Sequence, residues 1–306
     1  MVSESNTHNN CSSCIGNVYQ IGMISILCPT RGRRAGVIRL IESALKTAKY
    51  HNKIELLFYV DQDDDTLDEI DLSTYPCDIR IFKGPRVWIS NAQNFLYFYA
   101  RGEILMTAAD DMEFLTDNWD EIIRNEFNRI PDKIALVFGN DLASHSGVIA
   151  VHGFFHQHWV HILGTWVQPG RGSLWDLWST EIARKIDRLI YIENLHIQHI
   201  HYRQGEASAI FDKTYKHVYQ SNSAFRPEIS YKLQSRERRI DTILLAEATG
   251  NKITFEFNYF LGTLLSKHAQ THTDRRRLMS STNVEIFCII YRFLIKKIVY
   301  AKVNKK

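Results

Sequence analysis

Short apolar runs and amphipathic stretches alternate along the first half of the chain. Ile24-Ser25-Ile26-Leu27-Cys28 is a strand-length apolar run that stops at the turn-forming cluster Pro29-Thr30-Arg31-Gly32. Over 35–48, Val37, Ile38, Leu40, Ile41, Ala44 and Leu45 recur at helical spacing. Ile54 to Val60 reads as a second buried strand and ends in the acidic run Asp61-Gln62-Asp63-Asp64-Asp65. Ile79 to Phe82 predicts a third strand, and 88–100 a helix with aromatic spacing. Glu103 to Thr107 predicts a fourth strand ending at Ala108-Ala109-Asp110-Asp111. A helix over 117–129 and a strand from Ile134 to Phe138 follow. Strands alternating with helices predict an α/β layer on a mixed, mostly parallel sheet flanked by helices. Ligands of such sheets bind beyond the carboxyl ends of the strands. Three polar clusters, at 29–31, at 61–63 and at 110–111, therefore meet on one edge.

The texture changes after about residue 145. Residues 148–178 are dense in His, Trp, Phe and Gly and read as a second subregion closing over the sheet edge. Residues 236–270 read as helical. From Val284 to Val303 the chain is strongly apolar, interrupted by Glu285, Arg292, Lys296, Lys297 and Lys302. Glu285, Arg292 and Lys296 share one helical face. The plainer reading is an amphipathic helix docked on the domain, and the sharper one is a peripheral membrane contact through 284–303. The expected organisation is a disordered leader at 1–20, a main domain at 21–220 with halves 21–140 and 141–220, and a helical C-terminal extension at 221–306.

Charge narrows the picture only slightly. The net charge is +3, well short of the basic balance typical of a nucleic-acid binder. Basic clusters at Arg31 to Arg34, Arg236 to Arg239, Arg275 to Arg277 and Lys305-Lys306 read first as solvated faces. The five cysteines are scattered and odd in number, which points to a reducing compartment. Cys11 and Cys14 form a lone CxxC with no second pair at zinc spacing. The first twenty residues lack a charged start followed by an apolar core, so a cytoplasmic protein is expected (in the host cytoplasm if the chain is viral).

The chemistry concentrates at Asp110-Asp111-Met112-Glu113. Adjacent carboxylates at the end of an apolar strand are costly unless something positive neutralises them. Mg²⁺ or Mn²⁺ does so with oxygen ligands, often one or two carboxylates plus substrate phosphates. The plainer reading is a set of loop acids, with Asp117 or Asn118 capping the next helix.

The surrounding residues carry a family resemblance. Ser25-Ile26-Leu27-Cys28-Pro29-Thr30-Arg31-Gly32-Arg33 resembles the opening strand of GT-A-fold glycosyltransferases of the family 2 type. Glu55 to Asp61 looks like their second strand, whose terminal aspartate meets the nucleotide base. Asn91-Ala92-Gln93-Asn94 and Ala100-Arg101-Gly102-Glu103-Ile104-Leu105 resemble the lead into their Asp-x-Asp motif. The resemblance covers about 23–140 and is of phage or bacterial type. Asp110-Asp111-Met112-Glu113 departs from a literal Asp-x-Asp, so the metal-binding carboxylate stays open. Asp111 and Glu113 are the favoured ligands, with Asp110 toward the ribose or the metal. The resemblance implies a nucleoside-diphosphate sugar as donor, expected to be a UDP-sugar, and Mn²⁺ or Mg²⁺ as cofactor. It places Pro29, Thr30 and Arg31 in the nucleotide pocket and Asp61 or Asp63 on the base. An arginine can pair with phosphate, and Arg86 after Gly84-Pro85 is a second candidate for that role.

Two further clusters lie downstream. Gly172-Ser173-Leu174-Trp175-Asp176-Leu177-Trp178 sets one acid among aromatics at a helix start. Inverting transfer needs a general base beside the acceptor hydroxyl, and Asp176 fits that need and the family position. Its plainer reading is a first-turn acid favoured by the helix dipole. Trp166, Trp175 and Trp178 could stack on sugar or base rings, although aromatics at such spacing are more often core. In His196-Ile197-Gln198-His199-Ile200-His201, His199 and His201 share one side of a strand. The pair is a candidate for the metal or the diphosphate, with a merely polar strand face as the plainer reading. His152, His156, His158 and His161 lack a Cys or carboxylate at zinc spacing.

The leading expectation is a metal-dependent transfer of a hexosyl or pentosyl unit to a hydroxyl acceptor. Glycans, lipid-linked glycans and hydroxymethylated bases of viral DNA are the acceptor classes considered, the last tied to the basic clusters. A nucleotidyltransferase of related fold is a second reading, for which Thr30-Arg31-Gly32-Arg33-Arg34 is a weak echo of the needed loop. A non-catalytic nucleotide-sugar-binding scaffold is the third, and Asp110, Asp111, Glu113, Asp176 and His199 argue against it.

Overall fold

The computed structural model describes residues 19–143, 146–167, 174–200, 231 and 234–253. Among these residues the strands are β1 (Gln20–Thr30), β2 (Ile54–Asp61), β3 (Asp78–Gly84), β4 (Gly102–Thr107), β5 (Met112–Phe114), β6 (Leu136–Asn140), β7 (Gly153–His156) and β8 (Leu189–His199). The helices are α1 (Arg34–Thr47), α2 (Ile89–Tyr99), α3 (Trp119–Arg129), α4 (Gln157–Leu163), α5 (Trp175–Lys185) and α6 (Ser235–Thr249). One sheet runs β3-β2-β1-β4-β7-β6-β8-β5. The strands β3, β2, β1 and β4 are parallel, β7 is antiparallel to both its neighbours, and β6 is parallel to β8. This is the mixed, mostly parallel sheet with flanking helices that the sequence pattern predicts.

The central strands are legible because helices cover both of their faces. All eight residues of β2 are buried, as in parallel strands that read as continuous apolar runs. Alternation then divides the core. Ile24, Ile26 and Cys28 enter one cluster with α1 and α3. Leu27, Leu57 and Tyr59 enter the other with α2, α4, α5 and α6. Helix α1 buries Val37, Leu40, Ile41, Ala44 and Leu45, one stripe at helical spacing. Each large side chain of that stripe contributes roughly 1.5–3 kcal/mol.

The amino-terminal ends of the strands are held by Glu55, which is fully buried. Its carboxylate accepts from Ser25 Oγ at 2.6 Å, from the Arg101 backbone at 2.6 Å and side chain at 2.9 Å, and from Arg80 at 2.7 Å. Burying an ion costs several kcal/mol, and this many partners offset it.

The elements the sequence pattern leaves out are β5, β7 and α4. Three-residue β5 is too short to show a period. In β7, both Phe154 and Phe155 are buried, on opposite faces, so no polar alternation marks the strand. Gly153 starts it because a Cβ there would lie 2.4 Å from Leu136 Cδ1. His156 ends it and caps α4, its ring accepting from the His158 N–H at 3.1 Å. Asn118 takes the cap position of α3 with a left-handed φ of 58°, but its side chain makes no capping bond.

Helix α6 packs with α4 and α5, and Leu244, Leu245 and Ala246 join the second core. Trp178 Nε1 donates to Asp241 at 3.2 Å, and Arg238 Nε lies 2.8 Å from Glu181. This part of the expected C-terminal extension shares the core of the main domain. No described helix is long and apolar enough to cross a membrane. The leader, Cys11, Cys14, Cys288 and the segment 284–303 lie outside the described residues.

Candidate active site

The carboxyl ends of β1, β2 and β4 lie side by side, with Thr30 opposite Val60 and Leu27 opposite Thr107 in register. Beyond β4 the chain turns through Asp110 and Asp111 directly against the end of β1. Thr30 Oγ1 donates to Asp110 Oδ2 at 2.6 Å, and Arg33 Nη1 donates to Asp110 Oδ1 at 2.7 Å. The same nitrogen lies 3.8 Å from Asp111 Oδ2. Asp110 is 5% exposed. Burial raises its carboxyl above the usual range, Arg33 opposes the shift, and the Asp111 charge adds to it. The first turn of α1 touches this loop. A Cβ on Gly36 would sit 2.2 Å from the Asp110 carbonyl oxygen, so only glycine fits.

Arg31 and Arg33 have separate places. Arg31 reaches sideways to β2, with Nη1 2.8 Å from Asp61 and two bonds to Asp63 at 2.6 and 2.9 Å. Burial lifts the Asp61 carboxyl and Arg31 opposes the lift. The exposed Asp63 is held down to about 2 by its hydrogen bond from Arg31. Arg86 Nε lies 3.8 Å from Asp61, so it belongs to this side as well. Arg31 and Arg86, the expected phosphate partners, both sit at the Asp61 end. The arginine against the acidic pair is Arg33, which the sequence pattern hides within a run of basic residues. Pro29 is half-buried in β1, in register with Tyr59.

The other half of the site comes from β8 and α5. Strand β5 pairs with the end of β8, so the Ile200 N–H donates to the Asp111 carbonyl at 2.7 Å. This sets His199 Nε2 3.5 Å from Asp111 Oδ1. The His199 backbone N–H donates to the Asp141 carbonyl at 3.0 Å. Burial disfavours the charged His199 ring, but the hydrogen bond and charge of Asp111, joined by Asp141 and Asp176, raise it overall. Asp176 stands half-buried in the first turn of α5, accepting from the Leu177 N–H at 2.8 Å. Desolvation pushes its carboxyl up to about 6, against the pull of that N–H and of His199.

Two residues of this cluster carry no signal in the sequence. Asp141 follows β6, is 7% exposed, and has Oδ2 buried without a hydrogen-bond partner. His152 precedes β7, and its ring stands edge-on to His199 with centroids 4.9 Å apart. Burial drives the His152 ring down to about 3, with His199 adding to the shift, so it is neutral. Only the pairing of β7 with β4 brings it here.

The expected metal ligands are not gathered as one set. Among the described residues no three of His, Cys, Asp and Glu stand in a chelating arrangement. Glu113 lies in β5 opposite Gln198, two positions beyond Asp111, which is roughly 7 Å along an extended chain. His201 lies outside the described residues. Of the expected ligands, Asp111 and His199 do stand together. Their 3.5 Å separation is near the ~3 Å between adjacent ligands of an octahedral ion with ~2.1 Å bonds. The tryptophans take the plainer reading: Trp166 and Trp178 are buried in the second core, with Trp175 packed against it. His156 lies at the opposite end of the sheet, 3.0 Å from Glu103 at the start of β4.

Residues 25–141 match the family model described as Glycosyl transferase family 2. No curated protein matches the chain. Similar solved structures include S. aureus TarS 1–349 with UDP, at 12% identity and a TM-score of 0.48, covering 57% of this chain and 59% of that one. The same protein with UDP-GlcNAc gives 12% identity and a TM-score of 0.47, covering 74% and 71%. The mannosyltransferase PcManGT from Pyrobaculum calidifontis, with GDP-Man and Mn²⁺, gives 12% identity and a TM-score of 0.45, covering 92% and 88%. The segment 25–141 is thus similar to family 2 glycosyltransferases, and the mixed, mostly parallel sheet with flanking helices is consistent with the GT-A fold.

Proposed function

We propose that the chain transfers a sugar from a nucleoside-diphosphate sugar, with a UDP-sugar as the expected donor, to a hydroxyl acceptor with inversion. Thr30, Asp61, Asp63 and Arg31 would hold the nucleoside, with Asp61 on the base. Asp111 and His199 would hold a divalent cation, which when bound neutralises the diphosphate and improves it as a leaving group. Arg33 would supply positive charge to the same phosphates as Asp110 and Asp111 turn toward the ribose and the ion. Asp176 would take the proton of the acceptor hydroxyl. The oxygen then bonds to the anomeric carbon as the bond to the diphosphate breaks.

The observation that carries this reading is Asp176 itself. A carboxyl raised to about 6 sits within electrostatic reach of His199, at the strand edge that holds Asp111. A general base works best with its pKa near the operating pH. The test is turnover of UDP-sugars with and without Mn²⁺, with the product anomer read by NMR. Chelator and Asp111→Asn should each abolish transfer. A rate indifferent to both sinks the metal role, and a product of retained configuration sinks Asp176 as the base.

A further inference from the structure

Helix α5 carries Asp176 in a first turn without a side-chain cap, because Leu174 at its N-cap offers no acceptor. Helix ends of this kind fray. The next turn is clamped from α6. Trp178 Nε1 donates to the buried Asp241 at 3.2 Å. The Arg238 guanidinium lies 3.6 Å from the centre of the Tyr231 ring and 5.1 Å from that of Trp178. The two rings meet edge to face at 88°. Arg238 Nε is 2.8 Å from Glu181 Oε2, one turn beyond Trp178, and the Tyr231 hydroxyl donates to the same oxygen.

All five side chains are buried, charges included. A buried ion pair adds little net stability, since desolvation offsets the attraction. What this one fixes is direction, between α6 and the start of α5. The network also reaches the base. Burial raises the Tyr231 hydroxyl, and the charges of Glu181 and Asp176 add to the shift, so Tyr231 lies within electrostatic reach of Asp176. Trp178 stands two positions after Asp176 in the same helix. A displacement of α6 would therefore pass to the Asp176 carboxylate, and misplacing a reacting group by about 1 Å can cost about 100-fold in rate.

We propose that Arg238 and Asp241 are positioning residues: through Trp178, Glu181 and Tyr231 they set where the Asp176 carboxylate meets the acceptor hydroxyl. The inference rests on the reading of Asp176 as the base. It gives α6 a part in turnover, exerted through α5 rather than by contact with the donor.

The test is release of nucleotide by the full chain from a panel of UDP- and GDP-hexoses, with Mn²⁺ present and water as the acceptor. Asp241→Leu and Arg238→Met should each lower kcat by about 10–100-fold with donor KM little changed. Asp241→Asn keeps an oxygen for the indole N–H and should recover most of the loss. Placed on Asp176→Asn, the same two substitutions should lower kcat little further, because the group they position is gone. Equal fold losses in both backgrounds would mark a general structural effect and overturn the inference while the base reading stands. So would an unchanged kcat in folded Asp241→Leu. Should the larger changes prevent folding, Arg238→Lys, which keeps the charge and loses the planar stack, decides by the same comparison of backgrounds. An Asp176→Asn variant as active as wild type, or a wild type that turns over no donor, overturns the base reading and the inference together.

Discussion

Asn94 and Val167 bond to each other through both ends of the Asn94 amide. Oδ1 accepts from the Val167 N–H at 3.2 Å, and Nδ2 donates to the Val167 carbonyl at 2.8 Å. Oδ1 also takes the Trp166 N–H at 3.2 Å and the Thr165 hydroxyl at 3.0 Å. One side chain of α2 thus fixes the last described residues before the segment that leads to Asp176. Asn94→Asp keeps the acceptor but turns a carboxylate toward the Val167 carbonyl. We expect Asn94→Asp and Asn94→Ala each to destabilise the fold by roughly 2–4 kcal/mol, from several buried bonds at about 1 kcal/mol each plus unsatisfied partners. Urea unfolding midpoints measure this, and an unchanged midpoint would show that the bonds contribute nothing.

Asp176→Asn should lower kcat by about 10²–10⁴-fold with nucleotide binding intact, the range for losing a general base. In the wild type, transfer should fall as pH drops through about 6, because the base must be ionised. The stability effect has the opposite sense. The folded carboxyl is raised above its unfolded value of 3.8, so its contribution is fully present below that value and is lost as pH rises through about 6. Asp176→Asn should therefore gain stability relative to wild type at pH 8, by about 1–3 kcal/mol, and gain little at pH 3.5. Thermal melts at the two pH values test the sign.

Gly36→Ala probes the support of the acidic loop. The new methyl would meet the Asp110 carbonyl oxygen at 2.2 Å, so α1 or the loop must move. Overpacking of this kind costs typically about 1–3 kcal/mol. Because the displaced atom belongs to Asp110 itself, donor turnover should fall more steeply than stability. A variant that melts lower but retains full kcat would count against the loop's role.

The separation of Arg31 from Arg33 predicts different kinetic signatures. Arg31→Ala removes the partner of Asp61 and Asp63. It should raise the donor KM by about 10-fold while kcat changes little, the pattern of lost uniform binding. Arg33→Ala removes the charge beside Asp110 and Asp111 and should lower kcat as well. Steady-state kinetics on the two variants decide this, and identical profiles would refute it.

What the sequence made legible follows from where water is excluded. Ile24–Cys28 and Ile54–Val60 read as strands because helices cover both faces of the sheet there. The acids at 61 and 110–111 were visible because they end such runs. Arg33 was not separable from its neighbours, since spacing does not tell which of four basic residues turns inward. His152 and Asp141 were further out of reach. Both owe their position to pairing between strands far apart in the chain: β7 against β4, and β6 beside β8. Glu113 shows the converse limit, because two acids near in sequence stand a strand repeat apart in space.

The backbone bonds at the end of β8 also set an order of events during synthesis. Asp111 and Asp141 each offer a carbonyl to an N–H from residues 199–200. The contacts among Thr30, Arg31, Arg33, Asp61 and Asp110 need only the first third of the chain. A nascent polypeptide can therefore form these contacts while still short of the imidazole at 199. On the proposed assignment, the donor-recognising residues would meet on the ribosome well before the residues that act on the donor.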